Sequence, residues 1–292
     1  MANRRVLVKR RKAVRNIRKI TRTMQLIATA RFQAAFNRAV ATRPYTEKLA
    51  ELVADLSRAA GSVEHPLLAT HDDVPHSALV VLTSDRGLAG GYNANVLRSA
   101  VGHLDQQRAR EIETGVHMVG KKGIGYFRFL RRPMAEQITG IGDRVRFEQV
   151  EPLANALMDR FMRGEIASVH VAYMKFLSAG VQRPVVVQLL PLAPAAGEAG
   201  GAPAGRQVEY EFSPDPQQLL DELLPATVRV RLFQAFTDAA VSEQVARMVA
   251  MKAATDAAGD MIKSLSREYN RARQTQITME LLDIVGGSNA LS

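Results

Sequence analysis

Apolar and small residues recur at three- and four-residue steps over two long stretches, one at each end of the chain. From about Asp221 to Val285 one stripe takes in Val241, Val245, Met248, Ala254, Ala258, Met261, Leu265 and Tyr269. A second takes in Leu232, Phe236, Ala239, Val249, Ile262, Ile277, Leu281 and Ile284. This is the helical period, and it fits a coiled-coil seam. No proline follows Pro225, and Gly259 is the one glycine before the end of the stretch. Ala, Met, Lys, Arg, Glu and Gln dominate, the side chains that lose least freedom in a helix. Some sixty helical residues would span roughly 90–100 Å, too long for one face of a compact domain, so a partner is needed along the length.

The N-terminus supplies that partner. Residues from about Arg5 to Ala60 also read as helix, with Val14, Ile17, Met24, Ile27 and Ala34 or Ala35 along one side, continued by Leu49, Leu52, Val53 and Leu56. Pro44 removes a helical hydrogen bond and can kink the rod, and Gly61 is a stop signal. A first and a last helix of this length are expected to pair as an antiparallel coiled coil, with everything between them forming a separate domain.

The middle of the chain changes period. Ser77–Thr83 is a short β-branched run that reads as a buried strand. It leads into a glycine-rich turn, Ser84–Asn95, and a helical pattern through Val96, Leu97, Val101 and Leu104. Gly115–Val119 is a second strand, Gly120–Gly125 opens another helix, and Ala154–Met162 is an amphipathic helix. Ser168–Phe176, Pro184–Leu190 and Gln207–Phe212 are further strands. Strands alternating with helices imply a partly parallel sheet, and the last strands, which follow each other without a helix, make an antiparallel edge. The Pro/Gly/Ala-rich segment 193–206 reads as a flexible surface loop. The fold class is therefore α plus α/β: a long antiparallel coiled coil with a small inserted Rossmann-like α/β domain. The boundaries read as 1–60, 61–216 and 217–292.

Charge adds a partner to this picture. Residues 1–58 hold fifteen Lys or Arg against three acids, and residues 4–22 hold no acid at all. The rest of the chain is close to neutral. Like charges at i,i+4 destabilise a helix, so this segment expects an acidic partner: a protein, a nucleic acid or anionic lipid. No apolar run reaches the length of a membrane span. The start lacks a signal-peptide h-region and continues in helical register, so it reads as mature structure. The chain has no cysteine, which excludes disulfides and thiolate metal sites.

Catalytic and ligand-binding signatures are weak. The turn at Thr83–Val96 matches neither the P-loop nor the dinucleotide fingerprint. It reads as a tight turn whose glycines take positive φ, capped by Asp85. Gly120-Lys121-Lys122-Gly123 reads as a helix start with solvated lysines. The six histidines are scattered without metal-ligand spacing. No metal, cofactor or catalytic residue is expected.

Three stretches carry a family resemblance. Residues 17–35 (IRKITRTMQLIATARFQAA), 83–96 (TSDRGLAGGYNANV), and 246–265 with 269–287 resemble the gamma subunit of F-type ATP synthases. The resemblance implies a central-stalk rotor subunit of a rotary ATP synthase, non-catalytic itself, turning inside a ring of alpha and beta subunits. It implies a foot on epsilon and the c ring, membrane contact only through that ring, and a peripheral place on the cytoplasmic face of a bacterial plasma membrane. By alignment it makes Met24, Arg247, Gln274 and Thr278 contacts to the catalytic subunits. Ile277 and Leu281 fall in the tip that turns in an apolar collar, and Tyr210 falls at the c-ring contact. Ala89 stands where a cysteine is common, the cysteine pair of the thiol-regulated chloroplast form is absent, and residues 193–205 look like an insertion. The alternative is a basic coiled-coil protein that binds nucleic acid.

Overall fold

The computed structural model describes residues 4–59, 65–71, 73–142, 144–192 and 216–290. The strand expected at Gln207–Phe212, the loop 193–206, Tyr210 and the stop at Gly61 lie outside them. The element order is α1 (Arg4–Ala59), β1 (His76–Leu82), α2 (Tyr92–Ala109), β2 (Glu113–Val119), α3 (Lys121–Phe129), β3 (Glu136–Ile138), α4 (Phe147–Met162), β4 (Ser168–Ser178), β5 (Val181–Leu190) and α5 (Pro216–Ala290). Two compact units emerge: Met1–Ala30 with Arg247–Ser292, and Arg31–Ala246. Both α1 and α5 contribute to each.

In the first unit α1 and α5 run antiparallel. Thr21 meets Thr255, a Cβ on Gly259 would lie 3.9 Å from Arg18 Nε, and the Arg11 guanidinium sits 5.0 Å from the Tyr269 ring centre. One number falls as its partner rises. The buried line on α1 is Leu7, Val14, Thr21 and Ala28, seven residues apart. Opposite it stand Met251, Ala258 and Leu265, also seven apart, with Thr255 between them. A seven-residue repeat is the mark of left-handed coiled-coil packing. Ile17 and Ile27, which the apolar pattern places in the seam, are 51% and 48% exposed, and Val249 and Met261 on α5 are 55% and 54% exposed. Thr21, Ala28, Thr255 and Ala258 sit among the larger Leu7, Val14, Met251 and Leu265, and the small members let the two backbones come close.

The second unit is built on one five-stranded sheet of order β3-β2-β1-β4-β5. The β1–β2, β1–β4 and β2–β3 pairs are parallel and β4–β5 is antiparallel, as the chain order demands. β1 alternates: Ala78, Val80 and Leu82 enter one core, and Leu79 and Val81 the other. The first core is covered by α4 together with Val53 and Leu56 of α1 and Leu220 to Ala239 of α5. The second is covered by α2 and α3. The sheet is thus buried on both faces, which is why its central strand is apolar from Ala78 to Leu82.

Three differences from the sequence pattern stand out. α4 starts at Phe147 rather than Ala154, running through Pro152. α1 and α5 likewise run through Pro44 and Pro225. A proline inside a helix costs about 3 kcal/mol, and the packing of long helices onto a core offsets it. β3, only three residues long, is too short to carry a readable period.

Candidate partner-binding surface

The first unit leaves much of its apolar surface uncovered. On α1, Val6, Val8, Ile17, Ile20, Leu26 and Ile27 face out, interleaved with exposed Lys9, Arg10, Lys12, Arg15, Lys19 and Arg22. On α5 the seam ends near half-buried Ala272, and every residue from Arg273 to Gly286 is exposed. In that stretch Ile277 is 46% and Ile284 69% exposed, and Met279, Leu281, Leu282 and Val285 lie between them in exposure. An apolar surface of this extent marks a site of protein contact.

The sequence-derived contact residues fall into separate places. Gln274, Ile277, Thr278 and Leu281 follow the i, i+3, i+4, i+7 rule and share one exposed face of α5. The Thr278 hydroxyl donates to the Gln274 carbonyl at 3.0 Å, which satisfies it on its own helix. Met24 is half-buried on α1. Arg247 is 6% exposed, a guanidinium held within the chain's own packing. The exposed apolar line through Ile17, Ile20 and Ile27 belongs to this surface too. Sequence spacing alone assigns Ile17 and Ile27 to the seam, and only the identity of the true seam frees them.

The glycine turn between β1 and α2 does different work. Gly90 takes φ 56° as expected, but Leu88 also takes positive φ, 64°, and Gly91 does not, at −82°. Asp85 does not cap its own turn. Its carboxylate accepts from Lys121 N at 3.0 Å, the first turn of α3, and from Gly140 N at 3.1 Å. A helix N-terminus at the carboxyl end of a parallel strand is where this fold class holds a phosphate. Here the chain places its own carboxylate on it. Asn93 and Ser84 are bonded to each other, Ser84 N to Asn93 Oδ1 at 2.9 Å and Asn93 Nδ2 to Ser84 Oγ at 2.8 Å. Phe236, Ala239, Ala240 and Glu243 of α5 wall the crevice beside Asp85, leaving a cavity of about 290 Å³. Thr83 ties β1 to α3 by donating to the Val119 carbonyl at 2.6 Å and accepting from Gly123 N at 2.9 Å. Gly120, at φ 95°, has no room for a Cβ, which would run into the Thr83 carbonyl.

Among the described residues no group of three or more His, Cys, Asp or Glu could hold a metal ion. No described helix is long and apolar enough to cross a membrane.

These features define a class: an antiparallel pair of long helices with an exposed apolar and basic surface, and an α/β domain whose crevice at the carboxyl end of β1 holds its own Asp85 carboxylate on the α3 N-terminus. A family model described as ATP synthase matches residues 3–291. The ATP synthase gamma chain of Rhodopirellula baltica is 45% identical, over 100% of this chain and 99% of that one. The gamma chain of Leptospira biflexa serovar Patoc is 38% identical over the whole of both. A chain in the Euglena gracilis mitochondrial ATP synthase structure (OSCP/F1/c-ring, rotational state 3) aligns at TM-score 0.67 and 17% identity, covering 99% of this chain and 94% of that one. The latter likeness speaks for the fold alone. The chain belongs to the ATP synthase gamma-chain family.

Proposed function

We propose how this chain, a rotor subunit of an ATP synthase, does its work. The α1–α5 pair turns inside a ring of alpha and beta subunits, and residues 61–216 form a foot that meets epsilon and the c ring. Residues 1–60 and 217–292 form the shaft. A shaft without threefold symmetry offers each catalytic subunit a different face, so each rests at a different point of its binding cycle through differential contact energy. Turning the shaft by ion flow through the c ring then cycles the sites. The chain itself catalyses nothing. At the crevice where this fold class holds a phosphate, the Asp85 carboxylate occupies the α3 N-terminus, and α5 forms one wall.

The observation that carries this reading is the end-to-end likeness to gamma chains, on a chain whose α5 leaves apolar residues exposed beyond its seam. Ile277 and Leu281, beside Gln274 and Thr278, would turn in an apolar collar of the ring. Met24 and the lysines and arginines of residues 9–22 would face acidic loops of the catalytic subunits. Tyr210 would meet the c ring. Arg247, being buried, would act by holding α5 in the shape the ring reads rather than through a fully open surface. The assembly would sit peripherally on the cytoplasmic face of a bacterial plasma membrane, with this chain touching the membrane only through the c ring. The nucleic-acid-binding alternative finds no support in relatives that are gamma chains.

A pull-down of the tagged full chain with mass spectrometry tests the reading. It should recover alpha, beta and epsilon subunits. Recovery of nucleic acid without them would overturn it.

A further inference from the structure

Where α2 lies on β4, two histidines far apart in sequence meet. The rings of His103 on α2 and His170 on β4 have centres 4.5 Å apart and are tilted by 49°. His170, like Ala172 and Met174 beyond it, points to the sheet face that α2 covers. His103 and Gln107 stand four residues apart on α2 and so share one face of that helix. The Gln107 amide lies against His103, with Nε2 3.4 Å from Nε2, longer than the usual hydrogen-bond range of about 2.7–3.2 Å. Gln107 is 7% exposed, and its carbonyl oxygen is buried with no hydrogen-bond partner. His170 Nδ1 is buried without a partner as well. Both side chains adjoin His103. Two orphaned polar atoms around one imidazole call for an explanation, because native interiors pair nearly all such groups, with an ion or a water where protein supplies none.

We propose that His103, His170 and Gln107 hold a first-row divalent cation of the zinc class, which ties α2 to β4. Imidazole suits Zn²⁺, Cu²⁺ and Ni²⁺, whereas Mg²⁺ and Ca²⁺ want carboxylates, and none belongs to this set. The chain has no cysteine, so no thiolate competes for the ion. Two ligands each about 2.1 Å from a tetrahedral zinc stand about 3.4 Å apart, which is the separation of Gln107 and His103. A half-turn of the amide brings its oxygen to the place of its nitrogen, and the ion then satisfies both orphaned atoms. Burial first and Arg110 second lower the pKa of His103, while burial first and His103 second bring that of His170 to about 4. Both rings are therefore neutral at pH 7 and have a lone pair to give. Three protein donors leave the fourth position to water. The Arg110 charge opposes a cation beside His103, so the ion should exchange rather than sit permanently. The set escapes sequence inspection because it takes the packing of α2 on β4 to assemble it, and because its third member is an amide.

The untagged full chain, stripped with EDTA, is titrated with Zn²⁺ against a fluorescent zinc chelator at neutral pH. One ion should bind per chain, and His103→Ala and His170→Gln should each weaken binding about tenfold or more. His117→Gln is the control, since His117 lies 2.9 Å from Glu136 and that pair could take zinc at the surface; it should leave the affinity unchanged. A second measurement needs no substitution. In nitrogen NMR of the wild-type histidine rings, the signals of His103 and His170 should move together with the first equivalent of Zn²⁺, and those of the other histidines should not. Absence of binding, binding that survives both His103→Ala and His170→Gln, weakening by His117→Gln instead, or ring shifts confined to other histidines would each overturn the proposal.

Discussion

Thr255 and Thr21 face each other across the antiparallel helix pair, their hydroxyl oxygens 2.8 Å apart and both residues buried. Thr21 donates to the Arg18 carbonyl at 3.1 Å, leaving its lone pairs for Thr255. The Thr255 proton has a second acceptor in reach, the Met251 carbonyl at 2.8 Å. A polar pair inside a small-residue seam fixes register, since any slip sets a hydroxyl against an apolar neighbour. Thr255→Val should therefore cost about 1 kcal/mol. The double variant with Thr21→Val should cost less than the two singles together, because no hydroxyl is then left buried. Urea unfolding of the four chains measures the coupling, and strict additivity would refute it.

Gly120 and Gly102 should respond in opposite directions to alanine. At Gly120 the backbone is left-handed and the new Cβ meets the Thr83 carbonyl, so Gly120→Ala should destabilise the foot by more than about 2 kcal/mol. Gly102 lies within α2 with open space around it, and Gly102→Ala should stabilise by about 0.5–1 kcal/mol. Thermal melts of both variants decide it.

Asp85 should prove structural. Asp85→Ala frees the Lys121 and Gly140 amides that it now satisfies, at a cost of roughly 1–3 kcal/mol. Equilibrium unfolding checks the stability. Isothermal titration with ATP should give no heat of binding for the isolated chain, before or after the substitution. ATP binding abolished by the substitution would return the turn to the class of phosphate sites.

Acid should weaken the foot through His170. Burial first, and the neighbouring His103 second, push its pKa down from 6.5 to about 4, and the two rings are 4.5 Å apart. His103 is itself lowered, by burial and then by Arg110. The unfolded chain takes up the His170 proton first as pH falls. The stability from a neutral His170 is thus complete above about pH 6.5 and lost on the way to about 4, an effect on the order of 3 kcal/mol. His170→Gln should flatten the decline between pH 6.5 and 5 in urea unfolding, and an unchanged slope would exclude the role.

Much of this was legible in the spacing of residues, and the parts that were not share a cause. The β1 run, expected at Ser77–Thr83 and found at His76–Leu82, was legible because a strand buried on both faces shows consecutive apolar residues, here Ala78 to Leu82. The antiparallel β4–β5 edge followed from the absence of a helix between its strands. The helix seam read correctly only in part: Val14, Ala258 and Leu265 lie in it, while Ile17, Ile27, Val249 and Met261 do not. Leu7, Val14, Thr21 and Ala28 keep a strict seven-residue step, yet Thr and Ala carry little hydrophobic signal, so Ile17 and Ile27 looked like the seam. A chain that must bury one face within itself and another against partners has two apolar stripes, and hydrophobicity alone cannot tell them apart. Pro152 hid the first two turns of α4, because a local breaker outweighs a packing contribution that sequence does not display. At the candidate surface, the shared face of Gln274, Ile277, Thr278 and Leu281 was implicit in their numbering. The burial of Arg247 was not, since it depends on which side of α5 meets the rest of the chain.

Rotation itself can be watched directly. Gln106→Cys on exposed α2 gives a unique attachment point for a bead on this cysteine-free chain, assembled with its alpha and beta subunits fixed to glass. On addition of ATP the bead should turn steadily in one direction, pausing three times per revolution. ATP hydrolysis by a complex that retains this chain while the bead stays still would contradict the account.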